Sequence, residues 1–559
     1  MDKRKDSALF ARALPFLTGA IILLLSCTID DDPEVTRKEL RDHIMVLSSD
    51  SLSGRMTGSA GDSLAAIYIR NEFLRSGLQP LSGNGFQYFE VTNRLLPGPG
   101  SFLSHNGVDY VSGKDFMPEE FSESSSAKAE VVFAGYGFRA DGEALKWDDY
   151  NNIEVKGRWV MILRGDPEPD EPMSEFVAFS NDRDKVMVAK DLGAAGVLMV
   201  SGPAYDKGEG FPSYSTEGFS AGIPVLRLKR ELADRILEGS GHTIASLEET
   251  LNETRKPAGF ATGSVISAGS ELVADKSHTR NVVMVLQGED EQLRNEYVIM
   301  GAHFDHLGMG GASSRVPDTV AIHHGADDNA SGVSLMIELA EKLAATKGSH
   351  KRSVIFIAFS GEEKGLLGSK HFTENPLADL TRVNAMLNLD MVGRLRDDNS
   401  LQIGGVGTAE GLRDSVLATS DTNRVRITMM NEGYGPSDHS SFYGKDIPVL
   451  FYSTGAHLDY HTPYDTWDKI NYEGMVSISE HIYRITTSLA GMPGRLRFTE
   501  AGPKTGTSVS MRRGGVTLGI MPDFAGNVKN GLRADFVTEG KPAALGGMKK
   551  GDIITSING

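Results

Sequence analysis

At 559 residues the chain is too long for one ordinary core, and its 40% hydrophobic and 24% charged residues are those of folded rather than disordered protein. A formal net charge of −18 repels phosphate backbones and excludes nucleic acid as a partner. The single cysteine, Cys27, permits no intrachain disulfide and no four-sulfur metal site, so any metal must be held by His, Asp and Glu.

Lys3, Arg4, Lys5 and Arg12 precede an apolar run over 14–25, which is shorter than the roughly 20 residues a bilayer requires and has the layout of a secretory signal. Leu24-Leu25-Ser26-Cys27 closes that run and resembles the lipobox of bacterial lipoproteins. The resemblance implies a signal over 1–27, acylation of Cys27, and an exported protein of the cell envelope that meets the membrane only through its lipid. Asp30, Asp31, Asp32 and Glu34 then supply a solvated tether.

Thr36 with Glu39 predicts a capping box, and Leu40, Ile44 and Leu47 follow at helical spacing. A second helix is predicted over 60–76, with Leu64, Ile67, Phe73 and Leu74 on or near one face and Gly77 as its C-cap. From about Asn106 the texture turns to short apolar runs at 131–133, 159–163, 197–200 and 223–225, with a helix over 185–192. Gly135-Tyr136-Gly137 and Gly193-Ala194-Ala195-Gly196-Val197 make this segment similar to a protease-associated domain, which implies an accessory lid or substrate-side wall.

From about Asn281 the rhythm becomes strand, loop, helix. Apolar runs at 297–301, 354–359, 385–389 and 447–452 predict a sheet buried on both faces, with helices over 332–345 and 473–489. A Gly/Pro/Ser/Thr-rich linker follows Met492. Gly531-Leu532-Arg533-Ala534, Pro542-Ala543-Ala544 and the final stretch 551–559 resemble the first part of a PDZ domain. The expected division is catalytic domain over 28–105 and 266–492, insert over 106–265, linker over 493–510 and a partial PDZ-like module over 511–559.

Each apolar strand runs straight into acidic or imidazole groups: 297–301 into His303-Phe304-Asp305, 354–359 into Gly361-Glu362-Glu363, 385–389 into Asp390, and 447–452 towards His461-Thr462-Pro463. Asp327-Asp328-Asn329 stands before the 332 helix. In open α/β sheets the carboxyl ends of the strands form the ligand crevice, so one edge of one sheet collects the donors of a metal centre. Oxygen and nitrogen donors without thiolate suit zinc. Two Zn²⁺ are balanced by three carboxylates and a bridging hydroxide, with two imidazoles completing the shells.

These motifs resemble the two-zinc exopeptidases of the secreted leucyl aminopeptidase, aminopeptidase Y and glutamate carboxypeptidase type, over roughly 36–103 and 281–489. The resemblance implies a mixed-sheet α/β/α catalytic domain, with the β-rich insert and the PDZ-like module as accessories. It also implies two zinc ions, one held by His303 and Asp390, the other by Glu363 and His461, with Asp328 bridging. Glu362 becomes the general base, Asp305 orients His303, and Tyr434 in Gly433-Tyr434-Gly435 hydrogen-bonds the oxyanion. The expected activity is removal of N-terminal residues from peptides.

Alone, His323, His324, His371 and His457 read as structural or exposed, Asp438 and His439 as unassigned support, and Asp327 and Asp328 as caps of the next helix. Carboxypeptidase or dipeptidase action on the same zinc core stays open. A full ligand set argues against a one-zinc glutaminyl cyclase and against a catalytically inactive binding protein.

Overall fold

The computed structural model describes residues 34–142, 145–171, 174–211, 214, 220–311, 313–317, 319–504, 518, 520–522, 531–537, 542–549 and 551–556. The signal segment and Cys27 lie outside the described residues. Among the described residues no helix is long and apolar enough to cross a membrane.

The catalytic domain is built on a nine-stranded mixed sheet. Its centre is four parallel strands in the order Ser353–Phe359, Tyr297–His303, Val383–Leu389 and Val449–Ser453. Their near-continuous Val, Ile, Leu, Met and Phe content reflects burial on both faces. One face packs on helices Arg37–Leu47, Ala60–Arg75, Gly332–Ala345 and Tyr472–Gly491, whose apolar stripes share one core with the strands. The other face packs on Phe372, Phe442 and Tyr443 from the short helices Leu367–Glu374 and His439–Tyr443. Three layers result, and they leave the carboxyl ends of the four strands on one edge.

Leu40, Ile44 and Leu47 are buried as the spacing predicts, with Thr36 capping their helix. The second helix differs. Ala65, Ala66, Ile69 and Phe73 face the core, whereas Leu64, Ile67 and Leu74 are 50%, 42% and 40% exposed. Phe73 meets Phe356 of the sheet at 5.7 Å between ring centroids.

The ribbon Phe86–Pro97 pairs antiparallel with Leu272–Leu286, from Phe86 opposite Val282 to Pro97 opposite Leu272, and leads out to the insert. The insert has its own eight-stranded sheet with a core on each face. Phe102–His105 and Gly259–Gly269 pair within that sheet, so the insert begins before 106 and ends after 265. Hydrogen-bond pairing, invisible to composition, sets this junction.

The segment after Met492 is no free tether at its start. Arg352, buried beneath it, donates to Met492 O and to Gly494 O. Phe498 packs on Tyr443, and Thr499 N donates to Thr408 O. Beyond it, strands Ile520–Pro522, Leu532–Val537 and Ile553–Ile554 form a three-stranded antiparallel sheet.

Ile69→Ala is expected to destabilise the catalytic domain by about 2–5 kcal/mol, whereas Leu64→Ala should stay within about 0.5 kcal/mol. Thermal midpoints of the two variants read the difference. Equal losses would reverse the assigned helix face.

Candidate metal centre and active site

The strand ends deliver the predicted side chains to one place. His303 ends its strand and is 1% exposed; its Nε2 stands 3.3 Å from Asp328 Oδ1 and 3.4 Å from Asp390 Oδ1. His461 Nε2 stands 3.2 Å from Asp328 Oδ2 and 3.2 Å from Glu363 Oε2. The two oxygens of Asp328 thus face different imidazoles. Ligands about 2.0–2.1 Å from a tetrahedral cation are separated by about 3.3 Å along each edge of the shell. All four of these distances, 3.2–3.4 Å, have that length, beyond the ~2.7–2.9 Å of a charge-assisted hydrogen bond. Donor types and spacing therefore fit two divalent cations sharing Asp328.

Both imidazoles present Nε2 because Nδ1 is engaged. His303 Nδ1 is 3.2 Å from the carbonyl of Asp305, and His461 Nδ1 is 3.0 Å from the carbonyl of Ser313. A carbonyl only accepts, so each Nδ1 carries the proton and each Nε2 lone pair is left for a cation. The expected orientation of His303 by the Asp305 side chain is corrected here. That carboxylate lies 3.8 Å from Nδ1 and is occupied otherwise, accepting from Glu362 N at 3.0 Å and from the Thr57 hydroxyl at 2.7 Å. Asp305 thus positions Glu362, and its backbone positions His303.

Glu362 comes near without joining. Its Oε2 is 4.0 Å from His303 Nε2, outside ligand spacing, and its side chain lines a cleft of about 580 Å³ together with Asp390, Glu432, Tyr434, Phe451 and Tyr460. Tyr434 is on that wall, 36% exposed. Tyr460 stacks on His461 at 3.9 Å between centroids. Burial and the surrounding Asp328, Glu363, Glu362 and Asp390 carboxylates hold its phenol well above the ordinary range, so it keeps its proton.

Asp327 and Asp328 do not cap the following helix. Asn329 Oδ1 accepts from Gly332 N at 3.0 Å, while Asp465 Oδ2 accepts from the amides of both Asp327 and Asp328, at 2.8 and 3.0 Å. Asp465 thereby fixes the segment carrying the shared carboxylate. His457 is structural, with Nε2 3.1 Å from Asp327 Oδ2. Asp438 is buried behind Glu362, where burial pushes its carboxyl up, and His439 stacks on Phe451, where burial pushes its imidazole down to about 3.

Residues 281–486 match peptidase family M28, and residues 127–236 match the PA domain, the accessory domain expected of the insert. The segment that carries the site is therefore similar to this peptidase family. The chain is 24% identical over 445 residues to aminopeptidase YwaD of Bacillus subtilis, covering 76% of the chain and 79% of that protein. Among solved structures, a zinc aminopeptidase from Bacillus subtilis aligns at 21% identity and a TM-score of 0.47, over 81% of this chain and 95% of that one. An aminopeptidase from an Aneurinibacillus species aligns at 20% identity and a TM-score of 0.46, over 84% and 97%.

Several residues of the site escape sequence reasoning. His306 stands with Asp328 and Glu363 as a third imidazole; its place in His303-Phe304-Asp305-His306 was the signal available. Tyr460 had only its position beside His461. Arg55, Thr57 and Asp465 had none. Arg55 is fully buried and donates to the carbonyls of Phe304 (2.7 Å), His324 (2.8 Å), Gly325 (2.9 Å) and Leu47.

Electrostatics set how this centre responds to pH. Burial opposes charge on His303 and His461, yet the facing carboxylates raise both well above the ordinary imidazole value. Asp328 and Glu363 are also penalised by burial, but neighbouring imidazoles pull both below the usual carboxylate range. In the metal-free chain the raised imidazoles stabilise below their ordinary value near 6.5 and lose that contribution as pH rises through their higher folded values. The lowered carboxylates stabilise above their ordinary values and lose that contribution as pH falls. Divalent cations must displace the imidazole protons. Cation affinity is therefore expected to strengthen as pH rises through neutrality, with proton release on binding, while the thermal midpoint of chelator-treated protein falls. Calorimetry in buffers of different ionisation enthalpy checks this; binding without proton release would contradict it.

Proposed function

We propose that the chain is a metal-dependent aminopeptidase that holds two zinc ions and hydrolyses residues from the free amino end of peptides. The observation that carries the choice of terminus is the charge of the cleft. Besides Asp328 and Asp390, whose charge the two cations would balance, Glu362 and Glu432 line it, and no lysine or arginine does among the described residues. A free α-ammonium is attracted into such a wall, whereas a C-terminal carboxylate is repelled. The match of residues 281–486 to peptidase family M28 and the similarity to aminopeptidase YwaD support the same reading.

In this proposal His303, Asp390 and Asp328 hold one zinc, and His461, Glu363 and Asp328 the other. Bound there, the pair would acidify a water and polarise the scissile carbonyl. Glu362, next to a ligand yet outside ligand spacing, accepts the proton at Oε2 and passes it to the leaving amine. Its backbone amide is pinned by Asp305, so the carboxylate starts in place. The Tyr460 hydroxyl donates to the developing oxyanion, a role supported by its contact with His461 and its retained proton. Tyr434, which the resemblance put in that role, is the more exposed of the two on the cleft wall and is given the lesser part. Apolar surface from Met391, Met430 and Phe451 makes room for large apolar side chains. Attachment to the cell envelope through a lipid on Cys27 is supported by the lipobox-like string, and a PDZ-like role of the C-terminal module by its sequence pattern.

Glu362→Gln is expected to keep two zinc ions per chain by metal analysis while losing about 10²–10⁴-fold in kcat on leucyl-anilide. Near-normal turnover would remove Glu362 from the base role. Tyr460→Phe should lower kcat about 10²–10³-fold with KM little changed, and Tyr434→Phe should do less. An N-acetylated peptide should resist hydrolysis; its cleavage from the carboxyl end would refute the aminopeptidase reading.

A further inference from the structure

The Glu363 half of the centre contains an imidazole that the five-ligand scheme leaves without a task. His306 is 1% exposed, its Nδ1 stands 2.7 Å from Glu363 Oε1 and 3.6 Å from Asp328 Oδ2, and its Nε2 is buried with no hydrogen-bond partner among the described residues. It could be an extra ligand or a hydrogen-bond donor, and the distances separate the two. Two ligands of one tetrahedral cation stand about 3.3 Å apart. His461 meets that value towards both Asp328 and Glu363, at 3.2 Å each, whereas His306 stands 2.7 Å from Glu363, the length of a charge-assisted hydrogen bond. The oxygens of Glu363 are thus divided: Oε1 faces His306 and Oε2 faces His461.

The ring is also held from turning. It lies edge-on to His461 at 5.8 Å between centroids and packs under Gly325, where an added Cβ would come 2.6 Å from His306 Cδ2. The His306 amide donates to the carbonyl of Arg55 at 3.2 Å, so the ring hangs from backbone that is itself stapled.

We propose that His306 is a positioning residue: its Nδ1–H engages Glu363 Oε1, leaves Oε2 alone to bind metal, and thereby sets the affinity of the second metal position. The proposal rests on the two-metal reading of the site. With the donor removed, Oε1 is released, Glu363 is free to rotate or chelate through both oxygens, and the geometry of that position loosens.

The test is competitive zinc titration of the purified chain against a chromophoric chelator, with His306→Ala, His306→Asn and His306→Gln beside wild type. Asparagine places an amide N–H where Nδ1–H stands; glutamine carries it one bond further, towards the position of Nε2. The Ala and Gln variants are expected to bind the second zinc about 10–100-fold more weakly, with Asn within about threefold of wild type and the first zinc unchanged in all. Wild-type affinity in Ala or Gln overturns the proposal, and so does equal weakening in Asn and Gln, which would make the ring a packing element. If the Ala variant does not fold, the Asn–Gln contrast decides alone. A wild-type chain that takes up only one zinc is a separate failure, because it removes the two-metal reading itself.

Discussion

Asp328 is the residue around which the molecule is arranged. It is 3% exposed and presents an oxygen to each of two imidazoles, with Glu362, Glu363 and Asp390 in the same small volume. Carboxylates packed this densely away from water repel one another strongly, and such a cluster persists only if positive charge is supplied and the backbone cannot relax outward. The fold provides the second condition: three of the groups sit at or next to the ends of buried parallel strands, and the amides beside Asp328 are clamped by Asp465. Imidazoles and divalent cations provide the first.

Charge compensation also comes from the part of the chain that precedes the insert. The Arg55 guanidinium is buried among carbonyls of 304–325, and burial lowers its affinity for a proton to about 10 even with Asp328, Asp305, Asp465 and Glu363 nearby. At neutral pH it remains a cation. Thr57 holds Asp305, and Asp62, 0% exposed, accepts from the hydroxyls of Thr279 and Ser360. The segment 52–62 therefore works as a wedge behind the site, and its importance follows from position rather than from residue type.

The central strands and the donors at their ends were legible because two independent signals coincide there: continuous apolar runs and charged groups with no reason to follow them. His303, Asp328, Glu363, Asp390 and His461 do converge. Helix faces were less readable. The run over 60–76 has Leu64, Ile67 and Leu74 on its exposed side, while Ala65, Ala66, Ile69 and Phe73 face inward. The limits of the insert were misjudged by a few residues because its outer strands, Phe102–His105 and Gly259–Gly269, are polar and short of pattern until paired. The resemblance assigned Asp305 to His303, whereas the carboxylate turns towards Glu362 and Thr57, a choice made by tertiary contacts. Arg55, Asp465 and Tyr460 gain meaning only from neighbours far away along the chain.

The interruption of the catalytic domain has a consequence for biogenesis. The two strands that join it to the insert are antiparallel neighbours, and every ligand-bearing strand comes after the second of them. A nascent chain emerging from the ribosome completes the whole accessory domain before any part of the metal centre has been synthesised, and domains commonly fold as units in that order. The amino-terminal helices must meanwhile wait, their apolar stripes uncovered, for a sheet encoded more than a domain's length downstream. The accessory domain thus reaches its final shape as a finished neighbour, and the hydrolytic centre closes last, once His461 has been added and Arg55 can be enclosed.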